Sequence, residues 1–238
     1  MNNLTPLQRE CVTLFQAHQY KSCEIAARME LSLCRQQGRD PQLPLALLGD
    51  CAHAMKQYRR AVSFFRQLRP HKYRCKEAQC LQELGNVVEA SSVLETVPAA
   101  HRTLEMNMTL GNLYVASGRR HVALSVFLEA LQQNPYVMEA TEWLATLGAD
   151  RGRVLQAIQE GFQTRNNNSI NTNESKVADD DNEMLLPLVD LASAIFAKHR
   201  HQTGPALQQF VQLEQQYPNN PYLLVKIAEL QVCLRLFI

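Results

Sequence analysis

The chain has no Gly-rich phosphate loop, no H-E-x-x-H and no G-x-S-x-G turn, so phosphate-loop, zinc-peptidase and serine-hydrolase chemistry of the usual kinds are excluded. It has no uninterrupted run of about 18 apolar residues, and no membrane-spanning helix is expected. Residues Met1–Arg9 lack the charged-then-apolar pattern of a leader. Blocks of one charge are also missing. The net charge is +1 and no basic run exceeds the Arg59, Arg60 pair, which argues against a phosphate-tracking stripe and so against nucleic acid. The seven cysteines are odd in number and include no C-x-x-C, so neither a disulfide framework nor a thiolate metal site is expected. A reduced intracellular compartment is the simpler account.

Histidine offers no catalytic set. His18, His53, His71, His101 and His121 stand singly, and His199 and His201 fall in a connection between two expected helices. The acidic run Asp179, Asp180, Asp181 lacks the alternating ligands, turn glycine and distal glutamate of a calcium loop. No enzyme, cofactor or metal is expected.

What the chain does have is a recurring helical pattern. Leu110, Gly111, Tyr114, Ala123, Phe127, Ala130 and Pro135 stand at the spacing of one tetratricopeptide repeat. In such a repeat a small residue on each of two antiparallel helices lets the backbones approach, larger apolar residues fill the space, and proline ends the second helix. The template, a small residue nine positions after a first-helix landmark and an apolar one four later, returns along the chain. Leu45, Leu48, Gly49, Ala52, Ala61, Phe65 and Leu68 form one copy, and Ala78, Leu81, Ala90, Leu94 and Val97 another, cut short by Pro98. Thr141, Leu144, Ala145, Gly148 and Ala157 form a weaker copy, and Ala194, Ala197, Ala206, Phe210, Leu213 and Pro218 a further one. Leu7, Leu14, Tyr20, Cys23 and Ala27 imitate Leu45, Ala52, Tyr58, Ala61 and Phe65, which predicts a divergent first pair.

The expected fold is therefore all-α, a tetratricopeptide-repeat solenoid coiled as a right-handed superhelix. A divergent pair occupies 1–40, a repeat array 43–163, a disordered Asn- and Asp-rich insertion 164–182, and a further repeat with an unpaired final helix 183–238. The insertion carries Asn167 and Asn173 at the head of N-x-S sequons, and Ser169 and Ser175 as exposed hydroxyls. On the last helix Leu224, Ile227, Leu230 and Leu234 are expected to form an apolar face with no second helix over it.

In a stacked array the first helix of each pair lines the concave face, so exposed positions there form the default groove. Here those are Asp50, His53, Gln79, Glu83, Met108 and Asn112. Chaperone-docking arrays grip a terminal carboxylate with a basic residue four positions before an asparagine. Asn112 is present but Met108 takes the basic position, and Asp50 and Gln79 replace the asparagine in the preceding copies, which disfavours a co-chaperone.

The run from Pro98 to Tyr114 is more specific than the repeat. It resembles the family of subunit seven of the anaphase-promoting complex, where a shortened second helix ends in proline, a polar turn carries Arg-Thr (Arg102, Thr103), and Asn-Met (Asn107, Met108) precedes Leu-x-Asn-Leu-Tyr (Leu110 to Tyr114). The similarity extends loosely over Ala46 to Arg153 and faintly from Met184 to Leu230, and the chain resembles an amino-terminal portion of that family. The resemblance implies a non-catalytic scaffold of a multi-subunit ubiquitin ligase that drives mitotic progression, in nucleus and cytoplasm. Its implied partners are a second copy of itself and related repeat subunits of the complex, without nucleic acid or membrane. Dimerisation through the amino-terminal repeats is implied with it, and Leu7, Leu14 and Phe15 are the candidate surface. A trafficking or transcription-complex adaptor with the same repeats is the alternative.

Overall fold

A computed structural model describes residues 4–170 and 175–236, and side chains outside 166–184 and 236. Among the described residues there are thirteen α-helices, one 3-10 turn and no strand. The chain divides into two compact units, Met1–Gly118 and Arg119–Ile238.

The first unit holds α1 (Pro6–Gln16), α2 (Tyr20–Gln37), α3 (Gln42–Ala54), α4 (Tyr58–Phe65), α5 (Lys72–Glu83), α6 (Val87–Glu95), the 3-10 turn Ala99–His101 and α7 (Leu104–Ala116). Each helix packs on the next, and α3 and α5 also touch α1 and α7 respectively, the contact pattern of stacked hairpins. Thr5 begins α1 with a capping box: its hydroxyl accepts from the Gln8 backbone N–H at 3.1 Å, and Gln8 Oε1 accepts from the Thr5 N–H at 3.1 Å. The small landmarks are where the backbones come close. Cys23, Ala27, Ala61, Ala78 and Ala90 are all fully buried, and a Cβ placed on Gly49 would lie 2.5 Å from the buried Phe65 ring.

Between the two helices of each pair the chain reverses through one residue of positive φ: His18, Lys56 and Gly85 here. The next connection, from second helix to following first helix, is tied by buried charge. Glu77 accepts from Arg74 Nη1 and from Arg66 Nε, and Arg74 Nη2 donates to the carbonyls of Phe65, at 2.8 Å, and Leu68. The guanidinium thus caps the end of α4 while its own charge is met by a carboxylate on α5. Around Glu30, also buried, Thr5 Oγ1, Gln8 Nε2 and Arg39 Nη1 converge at 3.2, 2.9 and 3.0 Å.

The run that distinguishes this chain, Pro98 to Tyr114, builds the connection into α7. Arg102 Nε donates back to the Val97 carbonyl at 2.9 Å, Thr103 caps α7 by accepting from the Met106 N–H at 3.3 Å, and the Tyr114 hydroxyl donates to Glu95 at 2.9 Å. Leu110, Gly111 and Tyr114 are buried.

The second unit holds α8 (Arg120–Gln133), α9 (Met138–Thr146), α10 (Arg151–Ile170), α11 (Ser175–His199), α12 (Thr203–Gln216) and α13 (Pro221–Leu236). Its core is built from Ala123, Phe127, Ala130, Leu144, Ala157, Phe162, Ala194, Ala206 and Phe210, with the Trp143 indole stacked on Phe127 at 6.1 Å. Gly161 brings α10 against the end of α8: a Cβ there would stand 2.7 Å from the Leu131 carbonyl oxygen.

The polar tract 164–182 does not interrupt the helices where it is described. It is carried on α10 as far as Ile170 and on α11 from Ser175, with no glycine or proline between Phe162 and Leu186 to stop either. Residues 171–174 lie outside the described residues, as do the side chains of Ser169, Ser175 and the three aspartates. The last helix packs on α12, and Leu223 and Leu230 on it are buried. The apolar face expected from Leu224, Ile227, Leu230 and Leu234 is thereby divided: Leu224 is exposed, Ile227 and Leu234 are half-buried, and Leu230 faces inward. A first helix that follows a second helix must bury one side on it, and the seven-residue spacing of Leu223 and Leu230 supplies that side.

Candidate protein-binding faces

In the first unit the polar side chains of successive first helices reach one another. Lys76 Nζ on α5 lies 2.6 Å from Asp50 Oδ1 on α3, Gln79 Nε2 donates to Glu105 on α7 at 2.9 Å, and the Cys75 and Thr109 side chains meet at 3.8 Å. Of the six candidate groove positions, Asp50 and Gln79 belong to this lane. Met108 is half-buried, and the Asn112 side-chain oxygen is buried without a partner among the described residues. His53 and Glu83 are exposed at the far ends of α3 and α5, and the His53 ring stands edge-on to Tyr58 at 5.7 Å. The lane's lysine, Lys76, is already matched by Asp50, so it does not present a spare cation to a terminal carboxylate. Sequence reading missed Lys76 and Glu105. Their signal is positional, since each sits on the first helix next to the one that carries its partner.

The second unit has a comparable charged set. The Tyr222 hydroxyl donates to Glu142 Oε1 at 2.7 Å, Lys226 Nζ lies 3.0 Å from the same oxygen, and Lys198 pairs with Glu229. Burial opposes ionisation of Glu142, but the Tyr222 and Lys226 hydrogen bonds outweigh it and hold the carboxyl below its usual range. Burial, and then the Glu142 carboxylate, push the Tyr222 phenol up. Among the described residues no group of three or more His, Cys, Asp or Glu side chains is placed to hold a metal, and no helix is long and apolar enough to cross a membrane.

The candidate dimer residues Leu7, Leu14 and Phe15 are each half-buried, because α1 rests on both α2 and α3. Phe15 packs its ring against Tyr20 at 5.6 Å. The exposed apolar residues of this first pair are instead Ile25, Met29 and Leu33, at i, i+4 and i+8 on α2. The core spacing of the repeat does not mark them; a comparison of the outward positions of successive repeats does.

No family model matches the chain. It is 27% identical over 229 residues to anaphase-promoting complex subunit 7 of Arabidopsis thaliana, an alignment covering 80% of this chain and 39% of that protein. To subunit 7 of Homo sapiens it is 29% identical over 89 residues, 37% of this chain and 16% of that one. To subunit 7 of Dictyostelium discoideum it is 22% identical over 248 residues, covering 90% and 41%. The chain therefore spans about two fifths or less of the length of these relatives. Among solved structures, a tetratricopeptide repeat protein from Parabacteroides merdae superposes with a TM-score of 0.53 at 13% identity, covering 94% of this chain and 97% of that one. The fold is that of a tetratricopeptide-repeat array, and in sequence the chain is similar, at modest identity, to subunit 7 of the anaphase-promoting complex.

Proposed function

We propose that this chain is a non-catalytic scaffold subunit of an anaphase-promoting complex, the ubiquitin ligase of mitotic progression, acting through protein contacts made by its repeats. The observation that carries the reading is the 27% identity to the Arabidopsis subunit 7 over 229 residues. The charge-matched inner lane, with Lys76 held by Asp50, supports it over a carboxylate-gripping co-chaperone. Its partners on this reading are a second copy of the chain and other tetratricopeptide-repeat subunits of the complex, with Leu7, Leu14 and Phe15 on α1 as the surface for self-association. An intracellular site of action, nucleus and cytoplasm, goes with it.

The test is the solution mass of the purified chain by light scattering over a dilution series, followed by gel filtration with separately purified repeat subunits of the complex. A dimer that persists on dilution and co-elutes with another subunit is expected. A monomer that co-elutes with none of them overturns the reading.

A further inference from the structure

On α2, Ile25, Met29 and Leu33 are 64%, 59% and 37% exposed. At 100° per residue they form a continuous stripe about 80° wide on the side away from the buried Cys23, Ala27 and Cys34. Single exposed apolar residues need no explanation, but a stripe does. The repeats supply an internal control. Cys23 aligns with Ala61, Ala90, Ala123, Ala157 and Ala206, the small landmarks of the other second helices. The position of Ile25 is then Ser63, Ser92, Ser125, Gln159 and Gln208, and that of Met29 is Gln67, Thr96, Glu129, Gln163 and Gln212. All five other second helices are polar at both places, so packing of the repeat does not ask for apolar residues there. Only the first pair carries them.

Beside the stripe runs a second lane. Lys21, Arg28 and Arg35, seven residues apart and all exposed, line one flank. The carboxylates of α2 leave this flank positive: Glu30 is buried, and Glu24 is engaged by Arg28, at 2.9 Å, and by Arg60 of α4. Lys21 and Arg35 form no ion pair among the described residues. An apolar stripe along one helix with a basic edge is the complement of an amphipathic helix whose apolar residues recur every three to four positions and whose flank is acidic.

We infer that the outer face of α2 docks an acidic amphipathic helix of another protein, seating its apolar residues on Ile25, Met29 and Leu33 and its carboxylates along Lys21, Arg28 and Arg35. The charge of the flank selects this occupant. A second copy of α2 would bring the same basic lane and no free carboxylate, and three cations are few for holding a membrane surface, where each contributes little on its own. The inference does not depend on the scaffold reading above.

Two fluorescein-labelled synthetic helices test it, identical in their leucines and flanked by glutamate in one and lysine in the other, titrated against the full chain by anisotropy. The glutamate helix is expected to bind in the micromolar range and the lysine helix at least tenfold more weakly. Ile25→Ser with Met29→Gln, which installs residues the other repeats use, should weaken the glutamate helix at least tenfold. Lys21→Glu with Arg35→Glu, which leaves the stripe intact, should reverse the order of the two helices. Equal binding of both, or binding unmoved by either double variant, overturns the proposal. So does a fall in solution mass in the Ser/Gln variant, which would make the face a contact between copies. Sedimentation of the parent chain with phosphatidylserine vesicles, lost in that variant, would make it a membrane face and overturn the proposal equally.

Discussion

Replacing glycine by alanine inside a helix ordinarily stabilises it by about 0.8–1 kcal/mol, since alanine has less conformational freedom to lose. At Gly161 the sign should reverse. A Cβ there would lie 2.7 Å from the Leu131 carbonyl oxygen, 3.2 Å from that of Gln132 and 3.2 Å from Pro135 Cδ. Two of these three atoms are backbone at the end of α8, where no rotamer change can make room. To reach ordinary contact, α10 must move several tenths of an ångström away from α8, opening the layer that holds Phe162, Ala130 and Leu131. Overpacking of this kind costs about 1–3 kcal/mol, so after the propensity gain Gly161→Ala should destabilise by up to about 2 kcal/mol. Gly204 provides the control: it too is helical, and apart from its chain neighbours Thr203 and Pro205 and its own helix backbone nothing lies within 4 Å of its Cβ site. Gly204→Ala should therefore be neutral or stabilising by up to about 1 kcal/mol. Thermal melts followed by circular dichroism read both, with about 2–4 °C per kcal/mol for a chain of this size. A Gly161→Ala protein as stable as the Gly204→Ala protein would refute the claim that close backbone approach, not helix formation, holds glycine at 161.

Glu77→Ala should cost about 3 kcal/mol, because it leaves Arg74 largely buried with only the Phe65 and Leu68 carbonyls as partners; urea melts check it, and a loss below about 1 kcal/mol would count against the buried pair as the tie between α4 and α5. Lys56, at φ 58° in the turn where Gly85 and Gly148 serve other pairs, should gain about 0.5–1 kcal/mol on Lys56→Gly, read as a raised melting midpoint. Thiol titration with a chromogenic disulfide should show one fast cysteine, the exposed Cys233, and six slow ones. Burial pushes Cys11 up to about 11 and Cys75 and Cys80 up to about 12, and raises Cys23, Cys34 and Cys51 as well, so a second fast thiol in the native chain would contradict the packing of the first unit. Glu142 and Glu229 ionise more readily folded than unfolded, so their contribution is complete above the ordinary carboxyl range and is lost as pH falls through their lowered values. Midpoints measured downward from pH 7 should drop below about pH 4.5, and Glu142→Gln should flatten that limb.

The fold was legible because a repeat reuses one packing solution. Ala61, Ala90, Ala123 and Ala206 occupy one register and are all fully buried, so each copy checks the others even where a single copy is weak. Two things resisted the same treatment. The ties across connections, such as Arg74 to the Phe65 carbonyl and to Glu77, depend on how the chain folds back after α4, which hydrophobic spacing does not encode. The polar tract after Arg165 reads as an insertion by composition, yet helices need only the absence of breakers to run on from a packed start, and α10 continues through its described part to Ile170.

Function in such an array sits at positions that the repeat leaves free, and this determines what the sequence can reveal. Core landmarks are constrained in every copy, so they identify the fold and carry little about partners. Leu7, Leu14 and Phe15 stand out in the sequence as apolar residues on the first helix, but their half-burial shows them partly employed in holding α1 to α2 and α3. Ile25 and Met29 are informative for the opposite reason. They occupy positions where Ser63, Ser92, Gln163 and Gln212 show that nothing internal needs an apolar side chain, so their exposure is a cost that folding does not explain. In a chain of repeats, the residue that departs from its own copies at a solvent-facing register is thus better evidence of a partner than the residue that conforms to them.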